Sequence, residues 1–260
     1  MALKKTALIT GASNGIGLEL ARIFAREGYD LVLVARDKER LMSLAEELSD
    51  KSGVAVECVS LDLARTDAAQ VLCNFTQQKS INIDVLVNNA GFGNFGPFVE
   101  TDWGKEQQMM ELNMVTLTHL TKLFVRDMVA RKSGHILNIA SIAAFQPGPL
   151  MAVYYATKAY VLSFSEALAN ELEGTGVRVT VLCPGPTSSG FQKAAFQEES
   201  ALVKGKKLPT SQEVAEFGYT AMQRGQLIAI HGLRNRFFIQ LMRLLPRSVI
   251  VKAVRRIQEE

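Results

Sequence analysis

The regular alternation of short apolar runs with amphipathic stretches constrains this chain more than any single residue. Thr6–Thr10 (TALIT), Leu31–Val34, Ala55–Leu61, Asp84–Val87, His135–Ile139 and Arg178–Leu182 read as strands apolar on both faces. Between them lie helical patterns at Gly15–Glu27, Lys38–Asp50, Ala68–Gln77, Trp103 to about Arg131, and Ala152–Glu173. Strands buried on both faces and separated by helices predict an α/β fold. The expectation is a doubly wound parallel sheet, Rossmann-like, in three αβα layers. A chain of 260 residues buries one sizeable core, so a single domain over 1–260 is expected. Beyond Pro184 the pattern loosens, and about 186–209 reads as a polar substrate loop. Thr210–Glu213 (TSQE) has the spacing of a capping box and opens a helix to about Gly225, with Leu227–Ile230 as a last strand.

In such sheets ligands sit beyond the carboxyl ends of the strands. Thr10–Gly17 (TGASNGIG) lies there, between the first strand and the first helix. Gly11 allows the turn, Gly15 lets a ligand approach the backbone, and Gly17 permits close packing of helix on strand. The helix start presents free N–H groups to a pyrophosphate. The glycines alone also fit a tight turn with nothing bound; their place after the first strand favours the phosphate reading.

A second constellation spans Ser141–Lys158, SIAAFQPGPLMAVYYATK. With helix from Ala152 onward, Tyr154 and Lys158 share a face at i and i+4. A nearby cation favours the phenolate, and a phenol tuned downward serves as an acid or base near neutral pH. Tyr155, three residues before the lysine, is not excluded by spacing.

From Thr10 to about Gly185 the chain resembles the short-chain dehydrogenase/reductase family. Its T-G-x-x-x-G-x-G turn, the NNAG segment Asn88–Gly91, Asn113 in the long helix, Ser141, the Y-x-x-x-K pair Tyr154 and Lys158, and Pro184–Gly185 follow one another in the family's order. The resemblance implies hydride transfer between a nicotinamide and a carbonyl or alcohol carbon. It assigns Tyr154 the proton, and Lys158 the nicotinamide ribose and the lowering of the tyrosine pKa. Ser141 would donate to the substrate oxygen, and Asn113 would place a water. Tyr154 is favoured over Tyr155 because the family spacing to the lysine is four. The implied cofactor site comprises Gly11, Ser13, Asn14, Gly15, Ile16 and Gly17 in the turn, with Arg36, Asp62 and Leu63 around the adenosine. Asn89, Ala90, Gly91, Pro184, Gly185, Thr187 and Ser189 complete it beside Tyr154 and Lys158. Thr187 stands where the family commonly has Val or Ile, and Asn14 where NADP-binding relatives often have a base.

At the end of the second strand, NAD-selective sites carry a carboxylate for the ribose hydroxyls. Here Ala35 and Arg36 stand there. An arginine pairs with a 2′-phosphate in fork geometry, so NADP(H) is expected over NAD(H); the bland alternative is a solvated charge. Asp62 reads equally as an adenine contact or a helix cap.

Composition narrows the field further. A formal net charge of +3 does not call for nucleic acid. Cys58, Cys73 and Cys183 lack CxxC spacing, so free thiols and no metal are expected. The N-terminal apolar run is too short for a signal peptide and no long uncharged apolar run follows, which points to the cytoplasm. Phe92, Phe95, Phe145, Pro147, Leu150, Met151 and Phe191 give the segments 93–97, 143–151 and 190–207 an apolar rim, suited to a hydrophobic ketone, aldehyde or oxoacyl group. Arg234–Arg256 alternates apolar residues with six arginines and one lysine. A helix docked over the pocket or at a subunit interface is favoured over one lying on a membrane. The family's two long helices imply a homodimer or homotetramer. Competing functions are an epimerase or dehydratase with retained cofactor, and a non-catalytic NADPH-binding regulator.

Overall fold

The computed structural model describes residues 4–188 and 208–259. Seven parallel strands form one sheet: β1 Thr6–Thr10, β2 Asp30–Ala35, β3 Val56–Ser60, β4 Val85–Asn88, β5 Gly134–Ile139, β6 Val177–Cys183 and β7 Ile228–Ile230. Their spatial order is β3-β2-β1-β4-β5-β6-β7. The order reverses between β1 and β4, which pair Ala7 with Val85 and Ile9 with Val87. That switch point opens a crevice at the carboxyl edge of the sheet.

Successive residues of each strand send side chains to opposite faces. Ile9, Leu33, Val87, Leu137 and Leu182 pack on one side with helices α1 (Gly15–Arg26) and α2 (Lys38–Ser52). Leu8, Val32, Leu86, Ile136 and Val179 pack on the other with α3 (Ala68–Gln78) and the helix after β4. Both faces are apolar because both are covered, which is why the strands lack a polar alternation.

One expected element differs. The pattern predicts a single helix from Trp103 to about Arg131. The structure has α4 (Trp103–Met110), a π-helical turn at Glu111–Thr116, and α5 (Leu117–Ala130). The widened turn offsets the helical register and carries Asn113 into the interior, where it is buried. Helix α6 (Ala152–Glu171) follows β5, and α7 (Ser211–Gln223) begins at the expected capping box. There Thr210 Oγ1 accepts from Glu213 N at 3.1 Å, and Glu213 Oε2 accepts from Thr210 N at 2.7 Å. The C-terminal segment forms α8 (Leu233–Met242) and α9 (Arg247–Glu259), separated at Pro246. No described helix is long and apolar enough to cross a membrane.

Candidate active site

At the switch point the turn after β1 has the backbone its glycines foretell. Gly11 has φ 68° and Gly15 φ 58°, a region that L-residues with side chains rarely occupy. Gly17 is needed for contact: a Cβ there would lie 2.3 Å from Gly11 O. Thr10 ties the turn to the next strand, its Oγ1 donating to Val87 O at 3.1 Å and accepting from the N–H groups of Asn89 and Ala90 at 2.9 and 3.0 Å. Asn89 Nδ2 reaches back to Thr10 O at 2.8 Å. Asn89 therefore staples the two strand ends together.

The start of α1 is left open. The Asn14 side chain makes no capping bond, and its first turn has no acidic residue. Its unsatisfied N–H groups and the dipole favour an anion. Arg36 is exposed on the same cavity wall, and its guanidinium has no hydrogen-bond or ion-pair partner among the described residues. The neighbouring carboxylate is committed: Asp37 caps α2, accepting from Arg40 N at 3.0 Å and pairing with Arg40 Nε at 3.2 Å. Asp62 Oδ1 accepts from Ala64 N at 3.0 Å, which closes a local turn and is not the helix cap expected as one alternative, since Asp67 stands at the N-cap of α3; the residue borders the cavity. Leu63 is buried beneath it, its carbonyl accepting from Thr116 Oγ1 at 2.7 Å. This cradle fits a dinucleotide phosphate: open donors, one unpartnered guanidinium, and glycines where a Cβ would intrude.

The cavity encloses about 750 Å³ and runs from the glycine turn to Tyr154. Ser13, Ile16, Ala90, Gly91, Ser141, Lys158, Pro184, Gly185 and Thr187 all line it. Ser141 follows β5 and caps the short 3₁₀ turn Ile142–Phe145, accepting from Ala143 N at 3.1 Å. It also makes a hydrogen bond with Tyr154. Lys158 Nζ donates to Ile139 O at 2.8 Å and lies 5.8 Å from the Tyr154 ring centre. Asn113 stands just behind the wall. Its Nδ2 donates to Phe92 O at 3.0 Å and Thr157 Oγ1 at 3.1 Å, and its Oδ1 accepts from Phe92 N at 3.2 Å. A Cβ on Gly91 would lie 2.9 Å from Asn113 Oδ1 and 3.6 Å from Lys158 Nζ. A side chain here would crowd Asn113, while its contact with Lys158 would be an ordinary one.

The expected downward tuning of the phenol is not what this arrangement gives. Burial pushes the Tyr154 pKa well above its ordinary value, outweighing the hydrogen bond with Ser141 that pulls it down. The same burial pushes Lys158 down to about 8. Tyr155 is pushed up to about 12 by burial and also lines the cavity, but its hydroxyl accepts from Gln258 Nε2 at 3.1 Å. The two tyrosines that spacing left open are thus distinguished by their partners.

The rim also differs from expectation. Phe92 and Met151 border the cavity, but Phe145 packs away from it against the cluster of Val161, Val181 and Cys183. Pro147 and Leu150 do not line it, and Phe95 packs behind it with Met109 and Tyr155. Ser189, Phe191 and the whole of the 190–207 loop lie outside the described residues. The missing apolar wall comes from the C-terminal helices, through Phe238, Ile239, Met242, Val254 and Ile257. Gln258 joins them, buried among apolar groups with Oε1 unpartnered among the described residues. Its spacing from Ile250 and Val254 (i, i+4, i+8) was the available signal: a glutamine continuing an apolar stripe. A further buried chain, Thr121–Asn88–Asn138–Ser165 with contacts of 2.9 to 3.0 Å, braces the ends of β4 and β5.

Known proteins share this architecture. The 33% identical very-long-chain 3-oxoacyl-CoA reductase of Pyrenophora tritici-repentis aligns over 84% of this chain, which spans only 65% of that relative's length. A short-chain dehydrogenase from Sphingobium yanoikuyae, solved in complex with NADPH, is 34% identical with a TM-score of 0.83, covering 94% of this chain and 97% of its own. A short-chain dehydrogenase/reductase from Burkholderia phymatum, solved with NAD, is 26% identical with a TM-score of 0.82, covering 92% of each chain. A family model for short chain dehydrogenase matches residues 5–200, a span that holds the glycine turn, Asn113, Ser141, Tyr154 and Lys158 together. This chain belongs to the short-chain dehydrogenase family.

Proposed function

We propose that this chain is an oxidoreductase that moves a hydride between NADP(H) and a carbonyl or alcohol of a hydrophobic small molecule. The supporting observation is that Ser141, Tyr154 and Lys158 meet on the wall of the cavity whose other end is the open glycine turn. When bound, the nicotinamide supplies or accepts the hydride. The protein handles the proton.

Burial keeps the Tyr154 phenol protonated at neutral pH, so in reduction it holds a proton at Oη ready for the substrate oxygen. Ser141, bonded to Tyr154, holds that oxygen in place and stabilises charge developing on it. With a pKa of about 8, Lys158 stays cationic at neutral pH and stabilises the phenolate left when the proton departs. Asn113, locked to Phe92 and close to Gly91, holds a water through which Lys158 exchanges protons with solvent.

Arg36 supports NADP(H), because the nearest carboxylate, Asp37, is occupied by α2 and Arg40. The relatives solved with NADPH and with NAD share this fold, so the choice rests on this position. The turn residues Gly11–Gly17, Asp62 and Leu63, Asn89–Gly91, and Pro184–Thr187 would hold the rest of the cofactor. The apolar wall of Met151, Ile239, Met242 and Val254 suits a hydrophobic ketone, aldehyde or oxoacyl group. Self-assembly through α4–α5 and α6 would cover exposed Trp103, Val115 and Tyr160.

A panel of carbonyl compounds assayed by NADPH absorbance, with the wild type beside Tyr154→Phe, tests the reading. Turnover on hydrophobic ketones that the substitution abolishes is expected. Equal turnover by both proteins would reject Tyr154 as the acid.

A further inference from the structure

The C-terminal helices have two faces. The inner face is docked: Ile239, Ile250, Val254 and Gln258 are buried against the pocket and Tyr155. The outer face is apolar and uncovered. Among the described residues fifteen large hydrophobic side chains are exposed, and eight of them lie between Leu233 and Ile257. Leu233, Phe237 and Leu241 follow one another at i, i+4 and i+8 along α8, and Leu244 continues the row into the turn. Leu233 and Leu244 are each more than four-fifths exposed. Soluble surfaces rarely leave such rows open without an occupant.

The charges around this row are predominantly positive, with Glu259 at the end of α9 an acidic exception. From His231 to Gln258 the chain has six arginines and one lysine and no acidic residue. Three of the arginines have intramolecular partners: Arg236 on Ile230 O, Arg243 on Gln240 and Arg255 on Glu259. Arg234, Arg247, Lys252 and Arg256 are exposed, with no hydrogen-bond or ion-pair partner among the described residues. Two side chains of the row's neighbourhood, Phe238 and Ile257, are exposed and also line the cavity, so the apolar face runs into its mouth.

We propose that this outer face docks on an anionic lipid bilayer surface, with the apolar row entering the acyl boundary and the free cations meeting lipid phosphates. A cationic face repels a second copy of itself in a two-fold pair but attracts an anionic bilayer, so charge complementarity selects the lipid. Docking this way places the cavity mouth against the bilayer, where an apolar substrate would be concentrated. The surface stands without the catalytic reading, since vesicle binding needs no turnover.

Sedimentation of the full chain with vesicles tests it, using phosphatidylcholine alone or with about a third phosphatidylglycerol. Binding to the anionic vesicles is expected, at least about tenfold tighter than to the neutral ones and weakened by salt. Phe237→Glu with Leu244→Glu, and separately Lys252→Glu with Arg256→Glu, should each weaken it about tenfold or more while the thermal melting temperature is retained. These positions lie outside the cavity lining, so turnover on a water-soluble ketone should persist. Absence of vesicle binding, or binding indifferent to both double variants, overturns the proposal. So does a dimer that Leu244→Glu dissociates, because the face then belongs to a second copy.

Discussion

The two ends of the cavity are built in different ways. At the glycine turn the recognition groups are backbone N–H donors, held by residues within a few positions of one another and by two parallel strands. At the substrate end they are side chains drawn from distant parts of the chain, such as Tyr155 and Gln258, 103 positions apart. A backbone site tolerates no added atoms and depends little on side-chain identity. A side-chain site can be rewritten one residue at a time. Function should therefore fail abruptly at one end and grade smoothly at the other.

The most severe failure is expected where the ends meet. Tyr154→Phe removes the proton-bearing oxygen while keeping the buried ring, and kcat should fall by about 10²- to 10⁴-fold. Cofactor affinity, measured by fluorescence titration of NADPH, should change little. A parallel loss of binding would mean that the hydroxyl belongs to the backbone-built end after all. Next is Gly17→Ala, whose Cβ would press within 2.3 Å of Gly11 O. The neighbour is backbone and cannot swing aside, so a stability cost of about 3 kcal/mol and a matching collapse of NADPH affinity are expected. Denaturant melts with and without NADPH read both.

Arg36 is the exception inside the backbone-built end, a side chain to which the proposed function gives the choice between cofactors. Arg36→Glu should weaken NADPH by about ten- to a hundredfold and leave NADH unchanged or improved. The ratio of kcat/KM for the two cofactors measures this directly. If the ratio does not move, the guanidinium is only a solvated charge, and NADP preference is lost from the proposed function.

Much of the turn was legible because its determinants are local. Gly11, Gly15 and Gly17 announce their roles by spacing, and the strands by apolar runs that need cover on both faces. The π-helical turn at Asn113 was not legible, because apolar periodicity shows that a stretch is helical and not where an extra residue widens it. Phe145 departs from its expected place in the rim for a similar reason. Sequence locates it beside the pocket, but packing against Val161 and Cys183 decides which way its ring turns. The basic tail was legible as amphipathic, and only the folded chain separates its docked face from its open one. The i, i+4 argument gives the opposite direction for the Tyr154 shift because it counts the nearby cation and omits the cost of burying the phenolate.

That same burial bears on Lys158, where stability and function oppose one another. Its pKa falls from the ordinary 10.5 to about 8 in the folded protein. Between those two pH values the unfolded chain binds more protons than the folded one, so this residue makes stability rise as pH climbs from about 8 to 10.5. Below about 8 the folded state bears the full penalty of a buried ammonium. Lys158→Met should therefore stabilise the cofactor-free protein by up to about 3 kcal/mol at pH 7 while abolishing turnover, with the advantage vanishing above about pH 10.5. Denaturant midpoints across that range would show it. A destabilised variant would mean that the bond from Nζ to Ile139 O outweighs desolvation.

The smallest effect separates the two tyrosines. Tyr155 differs from Tyr154 by one position, yet its hydroxyl faces the C-terminal helix and accepts from Gln258. Tyr155→Phe should leave kcat within about threefold and cost about 1 kcal/mol or slightly more, since Gln258 Nε2 then lacks its partner while its Oε1 has none among the described residues. Gln258→Leu removes both polar ends of that side chain and continues the apolar stripe of Ile250 and Val254, so its cost should be smaller. The double variant should be no less stable than Tyr155→Phe alone, because it leaves no buried amide to satisfy. A double-mutant cycle in urea, run beside KM for a hydrophobic ketone, reads both quantities. If KM rises in Gln258→Leu while stability holds, the glutamine reads substrate across the cavity. If kcat collapses in Tyr155→Phe, the catalytic phenol is the one that spacing could not exclude, and the division of labour between the two ends fails.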